Sequence, residues 1–141
     1  MARLRPLPVA ALAAWTLFTW VSRVGLAWGD DDLSTAAKVV ATFPILIFVA
    51  LALTVGVTLL TRGRLRPPTL ALAGWTIGYW ALRLPWILAQ DHPGAFKVVH
   101  TALAAVAVGL AALTLRALGD RRLPSPAPGG RSRTGSRRAR A

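Results

Sequence analysis

The chain has 141 residues, of which 55% are hydrophobic, 17 are basic and 5 are acidic, and it has no cysteine. So apolar a composition excludes an ordinary soluble domain of this length and predicts a membrane protein. The lack of cysteine excludes disulfides, thiolate metal sites and cysteine nucleophiles.

Four uncharged runs predict four transmembrane helices, because each approaches or exceeds the roughly 17 residues that a helix needs to cross hydrocarbon. The runs are residues 6–22, 39–61, 67–82 and 98–115. With a charged residue allowed near a helix end, the predicted helices are residues 7–28, 36–60, 69–90 and 95–118. The predicted fold is therefore an all-α membrane protein with a four-helix transmembrane domain over residues 1–118.

The distribution of basic residues predicts how the helices are oriented. Thirteen of the 17 lie near the N-terminus, between residues 62 and 66, or between residues 116 and 140. The other two connections, GDDDLST and QDHPGA, contain no Lys or Arg. By the positive-inside rule, both termini are cytoplasmic and the acidic connections lie outside. Abundant Arg and Ala without Glu are typical of a GC-rich bacterial genome, so the predicted location is the bacterial inner (plasma) membrane.

The first and third predicted helices carry a repeated sequence. ALAAWTLFTWVSR at 11–23 returns as ALAGWTIGYWALR at 71–83 with seven of thirteen positions identical, and KVVAT returns as KVVHT at the start of the fourth helix. Each unit, about 7–60 and about 69–118, is a two-helix hairpin that enters and leaves on the same side. The hairpins are therefore predicted to be parallel repeats about a pseudo-twofold axis along the membrane normal.

Polar residues recur in both units and predict a binding site near the acidic connections. Thr16, Trp20 and Arg23 form one stripe on the first helix, and the third helix repeats it. The only two lysines begin the second and fourth helices. The predicted site is an outward-opening layer that binds an anionic group, and a lipid headgroup is the expected ligand because the layer lies at headgroup depth. Its residues are Trp20, Arg23, Lys38, Trp80, Arg83 and Lys97.

Two interpretations of these cations remain open. In the first, each cation extends to the headgroups or pairs with an Asp of the acidic connections, while the tryptophans form the usual interfacial belt. In the second, the stripes face the bundle interior, where two like charges about 7 Å apart at an effective dielectric near 20 repel by about 2 kcal/mol. Cations placed there need carboxylates or a bound anion to hold them. Three Asp lie in the first acidic connection and one in the second, so the second hairpin has fewer carboxylates.

Glycine and histidine add two expectations. Gly74 and Gly78 form a GxxxG pattern on the third helix, interpreted as close helix packing, with oligomerisation as a second role. His100 has no equivalent in the first unit and is interpreted as a hydrogen-bonded packing residue. No metal or cofactor is expected, because the spacing of His and Asp supports no metal site.

The function class predicted with the fewest assumptions is a non-enzymatic subunit or scaffold that binds lipid or partner helices. A transporter or channel component for an anionic solute is the alternative, since it explains the doubled stripes. An enzyme is not expected, because neither half presents a nucleophile with a base or a metal cluster. The expected partners are lipids with anionic headgroups and a second copy or a partner membrane protein.

The C-terminal segment, residues 119–141, is rich in Pro, Gly, Ser and Arg. It is predicted to be a disordered, basic cytoplasmic tail. Each Arg is expected to contribute about 1 kcal/mol to attraction by anionic lipids, in preference to nucleic-acid binding.

The orientation is testable with reporter fusions after residues 64, 92 and 125. We expect the reporter after residue 92 to be external and the other two to be cytoplasmic, because basic residues surround only those two positions. Paired reporters that are active on opposite sides of the membrane measure the location. A cytoplasmic reporter after residue 92 would contradict the four-span prediction.

Overall fold

Residues 7–119 are the part of the chain that the computed structural model describes, and they form four helices without a strand. The helices are α1 (Leu7–Trp28), α2 (Thr35–Leu60), α3 (Arg66–Ala89) and α4 (Gly94–Gly119). The predicted all-helical fold is confirmed, and each bound lies within three residues of its predicted position. The predicted tail lies outside the described residues apart from Gly119, the last residue of α4.

The local sequence explains where helices start and where the chain reverses between α2 and α3. The Ser34 hydroxyl accepts a hydrogen bond from the amide of Ala37 at 3.2 Å and caps α2. α3 begins three residues earlier than predicted, because Pro67 fits the first turn of a helix, where N–H groups have no intrahelical acceptor. Arg62 adopts a left-handed conformation with a φ of 53°. The chain therefore reverses within residues 61–65.

Consecutive helices run antiparallel and form a four-helix bundle. α1 and α3 each pack against both α2 and α4. Arg23 bonds to His100 at 3.1 Å near one end of α1, and Thr114 donates to the carbonyl of Pro8 at 3.2 Å near the other. These two contacts fix α1 and α4 in opposite directions.

The two ends of the bundle differ in charge. The connections 29–34 and 90–93 carry all the Asp residues among those described, and they lie at one end, which we call the acidic end. The connection 61–65, with two arginines, lies at the opposite end. The 24 residues of α3 separate the two ends by about 36 Å at ~1.5 Å per residue. The arginines of that opposite connection are therefore too far away to pair with the carboxylates of the acidic end.

Aromatic side chains fill the bundle between α1, α2 and α3. Phe48 is fully buried and stacks on Trp20 with ring centroids 4.1 Å apart. Tyr79 meets these two rings edge-on at 5.1 and 5.2 Å, an arrangement that suits the aromatic quadrupole. We call these rings and their neighbours the aromatic cluster, which comprises Trp20, Phe48, Trp75, Tyr79 and Trp80.

Three of the helices, α1, α2 and α4, are long and apolar enough to cross a membrane. This agrees with the predicted membrane protein. α3 has sufficient length, but two arginines and three prolines lower its hydropathy. The crossing of the membrane by α3 therefore stays a prediction.

Gly74 and Gly78 lie on the outside of the bundle. Both are exposed, and a Cβ added at either would meet no atom within 4 Å. The close helix packing expected from their GxxxG pattern is therefore wrong within this chain. α3 instead buries the face that carries Leu72, Ala73 and Thr76, so the two glycines are left on an open surface.

We expect Phe48→Ala to lower the free energy of unfolding by about 3 kcal/mol, because it empties a fully buried ring position. The matched control is Phe43→Ala on the same helix, where the ring is 66% exposed and the loss should stay under about 1 kcal/mol. Unfolding by sodium dodecyl sulfate in mixed micelles, followed by circular dichroism, measures both. Equal losses would contradict the position of Phe48 in the core.

Candidate functional site

The two stripes of the predicted site face the bundle interior at their threonines and tryptophans. Thr16, Trp20, Thr76 and Trp80 are all buried. Each of these threonines donates to the carbonyl four residues earlier, at 2.7 and 2.8 Å, so its hydroxyl is satisfied within its own helix. The indole N–H of Trp80 has no hydrogen-bond partner among residues 7–119. The first two residues of each stripe therefore belong to the core, and the stripes differ at their arginines.

Arg23 lies half-buried between α1 and α4. Its Nη2 is 3.1 Å from Nε2 of His100. Its guanidinium carbon lies 5.4 Å from the ring centroid of Trp20, within the range of a cation–π interaction. The structure thus brings Trp20 and Arg23 together and adds His100 as a third member.

The hydrogen bonds of His100 define its tautomer. Nδ1 lies 2.8 Å from the carbonyl oxygen of Phe96, which can only accept, so Nδ1 carries the proton. Nε2 then offers a lone pair to the Arg23 guanidinium, which can only donate. His100 is therefore a neutral, hydrogen-bonded packing residue, which confirms its interpretation from the sequence.

The two lysines of the predicted site bind helix ends. Nζ of Lys38 donates to the carbonyl of Trp28 at 3.2 Å, and Nζ of Lys97 donates to the carbonyl of Leu88 at 3.0 Å. The last carbonyls of a helix have no intrahelical donor, and a cation placed there also complements the helix dipole. Both lysines therefore tie the start of one helix to the end of the preceding one.

Helix direction explains why lysines and arginines behave differently. The Cα–Cβ bonds of a helix tilt toward its N-terminus. α2 and α4 begin at the acidic end, so Lys38 and Lys97 lean outward to the connections. α1 and α3 end there, so the Cα–Cβ bonds of Arg23 and Arg83 tilt back toward the middle of the bundle.

Arg83 is exposed, unlike Arg23, and lies one turn from Tyr79 on the same face of α3. The Arg23 guanidinium lies over the Trp20 ring, and the Tyr79 ring meets Trp20 edge-on with centroids 5.1 Å apart. A chain of contacts through Trp20 and Tyr79 therefore links the surroundings of the two arginines. Within residues 7–119 no Asp forms an ion pair with an Arg or Lys. The acidic end therefore brings together two arginines without a carboxylate partner.

The contribution of Tyr79 was not recognised from the sequence, and His100 was recognised as a packing residue but not as the partner of Arg23. Both stand where the repeat departs from itself, since Thr19 is the equivalent of Tyr79 and Ala41 the equivalent of His100. The differences between the two units were the available signal.

No protein-family model matches the chain, and no curated protein or solved structure matches it either. In the described part of the chain, no three His, Cys, Asp or Glu side chains are grouped so as to hold a metal ion. The arginines that are present suit an anion.

We expect Arg23→Met and His100→Leu to be energetically coupled. Each removes the same hydrogen bond to a charged donor, which contributes about 1.5–3 kcal/mol, so the double variant should lose about 1–2 kcal/mol less than the sum of the single losses. The measurement is a double-mutant cycle of unfolding free energies in mixed micelles.

The control for this cycle is Thr101→Val, because its exposed hydroxyl bonds only to the Lys97 carbonyl within α4. Its effect should add to that of Arg23→Met. Additive losses for the Arg23 and His100 variants would contradict the contact between them.

Proposed function

We propose that the chain is a small, non-enzymatic integral membrane protein that binds anionic lipid headgroups at its acidic end. The observation that carries this proposal is that two arginines adjoin the contact between Trp20 and Tyr79 without a carboxylate partner among the described residues: Arg23 lies over the Trp20 ring, and Arg83 lies one turn from Tyr79. Neighbouring cations repel each other strongly where water is scarce, and a bound anion offsets that repulsion. Lipid phosphate is the anion that a membrane presents at this depth.

The chemistry of the arginines favours phosphate. A guanidinium is planar and presents its N–H groups as a fork, so it can bind two phosphate oxygens at once. Trp20 covers one face of the Arg23 guanidinium and holds it in place. Lys38 and Lys97 already donate to carbonyls, so the arginines rather than the lysines select the ligand.

The proposal includes two like-oriented hairpins, with both termini cytoplasmic and the acidic end outside. Most equivalent positions of residues 11–23 and 71–83 have the same burial, as at Leu12 and Leu72, which are both fully buried. The bonds of Lys38 and Lys97 to the last turn of the preceding helix also correspond. These correspondences support a duplicated hairpin in which α3 crosses the membrane as α1 does. The bound headgroup then belongs to the outer leaflet.

A transporter or channel component for an anionic solute is the alternative. A solute that crossed the bundle would have to pass the stacked rings of Trp20 and Phe48, which lie 4.1 Å apart with Tyr79 against their edges. Closely packed rings at the centre favour a binding protein over a conduit.

We expect Arg23→Ala combined with Arg83→Ala to reduce the binding of phosphatidylglycerol relative to phosphatidylcholine by about tenfold, because charge-assisted hydrogen bonds are lost. Native mass spectrometry of the full chain, after exchange into mixed micelles of the two lipids, measures the ratio of adducts.

The matched control is Lys38→Ala combined with Lys97→Ala, which removes equal charge from the same end but changes residues that donate to helix carbonyls. Circular dichroism verifies that both double variants are folded. Retention of the phosphatidylglycerol preference without the arginines would contradict the proposal. An equal loss in the lysine variant would assign the preference to total charge and would contradict it as well.

A further inference from the structure

An apolar groove of about 800 Å³ runs along the outside of α3. Residues of α3 from Ala71 to Trp86 line it, and Leu51 of α2 contributes to its wall. Gly74 and Gly78 contribute no side chains, so the surface above their Cα atoms stays open.

The repeat explains why this groove lies beside the second hairpin. In the repeat, Ala14 and Phe18 of α1 are the equivalents of Gly74 and Gly78. The Phe18 ring lies exposed on α1, so the corresponding surface there is occupied. The loss of that ring at Gly78 opens the groove on α3.

One end of the groove is polar. Arg83 and Tyr79 are its two ionisable lining residues, and they lie one turn apart toward the acidic end. The Tyr79 hydroxyl forms no hydrogen bond within residues 7–119 and is available as a donor. The stem of Arg83 leans toward the N-terminus of α3, and therefore toward the groove floor. A ligand of this groove accordingly has an anionic end and a long apolar part.

The length of the groove is close to that of a lipid acyl chain, which extends over about half of the hydrocarbon core. Ala71 and Arg83 are 12 residues apart, or about 18 Å at ~1.5 Å per residue. Half of a hydrocarbon core of about 30 Å is about 15 Å. An acyl chain whose headgroup lies beside Arg83 would therefore extend to the level of Gly74 and Ala71.

We propose that this groove binds one lipid of the outer leaflet, with an acyl chain along Gly74 and Gly78 and its phosphate on Arg83. The inference rests on the proposed function, because it specifies where the lipid lies whose headgroup is bound at the acidic end. Trp86 flanks the headgroup at the level of the interface, where tryptophan is favoured.

Charge favours a lipid over a second helix in this groove. A helix seated on α3 would cover Arg83 and would need to supply a carboxylate within the membrane, which is costly. A lipid with an anionic headgroup supplies the counter-charge itself and leaves it at headgroup depth. The flexible acyl chain of a lipid can also adapt to the open, uneven surface of the groove.

The test uses Gly78→Phe, which introduces the residue of the first hairpin and fills the groove. The full chain is reconstituted in phosphatidylcholine vesicles that contain a minor fraction of either phosphatidylglycerol or phosphatidylcholine with brominated acyl chains. Bromine quenches tryptophan fluorescence on contact, and Trp75 and Trp86 line the groove. We expect brominated phosphatidylglycerol to quench the parent more strongly, and the preference to fall about tenfold in Gly78→Phe and in Arg83→Met.

Gly109→Phe is the matched control, because Gly109 is also an exposed helical glycine with no atom within 4 Å of an added Cβ. It should keep the parent preference. If Gly78→Phe is not recovered folded, Gly74→Leu fills the groove one turn deeper. Size-exclusion chromatography with light scattering accompanies each variant, and a dimer in the parent that Gly78→Phe dissociates would overturn the lipid in favour of a second copy.

The outcomes separate this inference from the proposed function. Loss of the preference in Arg83→Met but not in the groove variants would overturn the acyl-chain site and leave headgroup binding intact. Loss in the groove variants alone would overturn phosphate binding by Arg83, and with it this inference. An unchanged preference in all variants would overturn both.

Discussion

The direction in which each helix approaches the acidic end determines what its cation does. Side chains lean toward the N-terminus of a helix. α2 and α4 start at the acidic end, so Lys38 and Lys97 reach out to the carbonyls that end α1 and α3. α1 and α3 finish there, so the Cα–Cβ bonds of Arg23 and Arg83 tilt toward the middle of their own helices. An arginine whose stem points away from the connections needs a hydrogen-bonding or ionic partner where water is scarce.

The two arginines differ in the partners that the bundle offers them. Arg23 has a neutral imidazole acceptor in His100 and an indole face in Trp20. The position of α2 that corresponds to His100 is Ala41, which offers no side-chain acceptor, and Arg83 is exposed. The two repeated sequences therefore carry equivalent cations, but only the first has an internal partner. The second cation is left to interact with whatever lies outside the bundle.

The sequence was sufficient to predict features that occur in both repeated units, and insufficient to predict features that arise where the two units differ. Uncharged runs predicted all four helices, because each run approaches or exceeds the length that a span requires. The equivalence of Lys38 and Lys97 followed from position alone. Their carbonyl partners did not, since these depend on how the connections fold. The groove could not be predicted, because it results from the absence of a ring at Gly78 on a face that only the packed bundle identifies as outer.

The location of the groove also bears on the kind of function that the chain performs. A ligand that enters from the side stays within its own leaflet, so no helix has to move to admit it. A ligand that crosses the bundle would have to separate Trp20 from Phe48 and lose a contact that contributes about 0.5–1.5 kcal/mol beyond simple burial. It would also have to disrupt the bond that joins α1 to α4 through Arg23 and His100. Lateral lipid binding requires neither change, so the interior packing and the proposed lipid site are compatible in one rigid bundle.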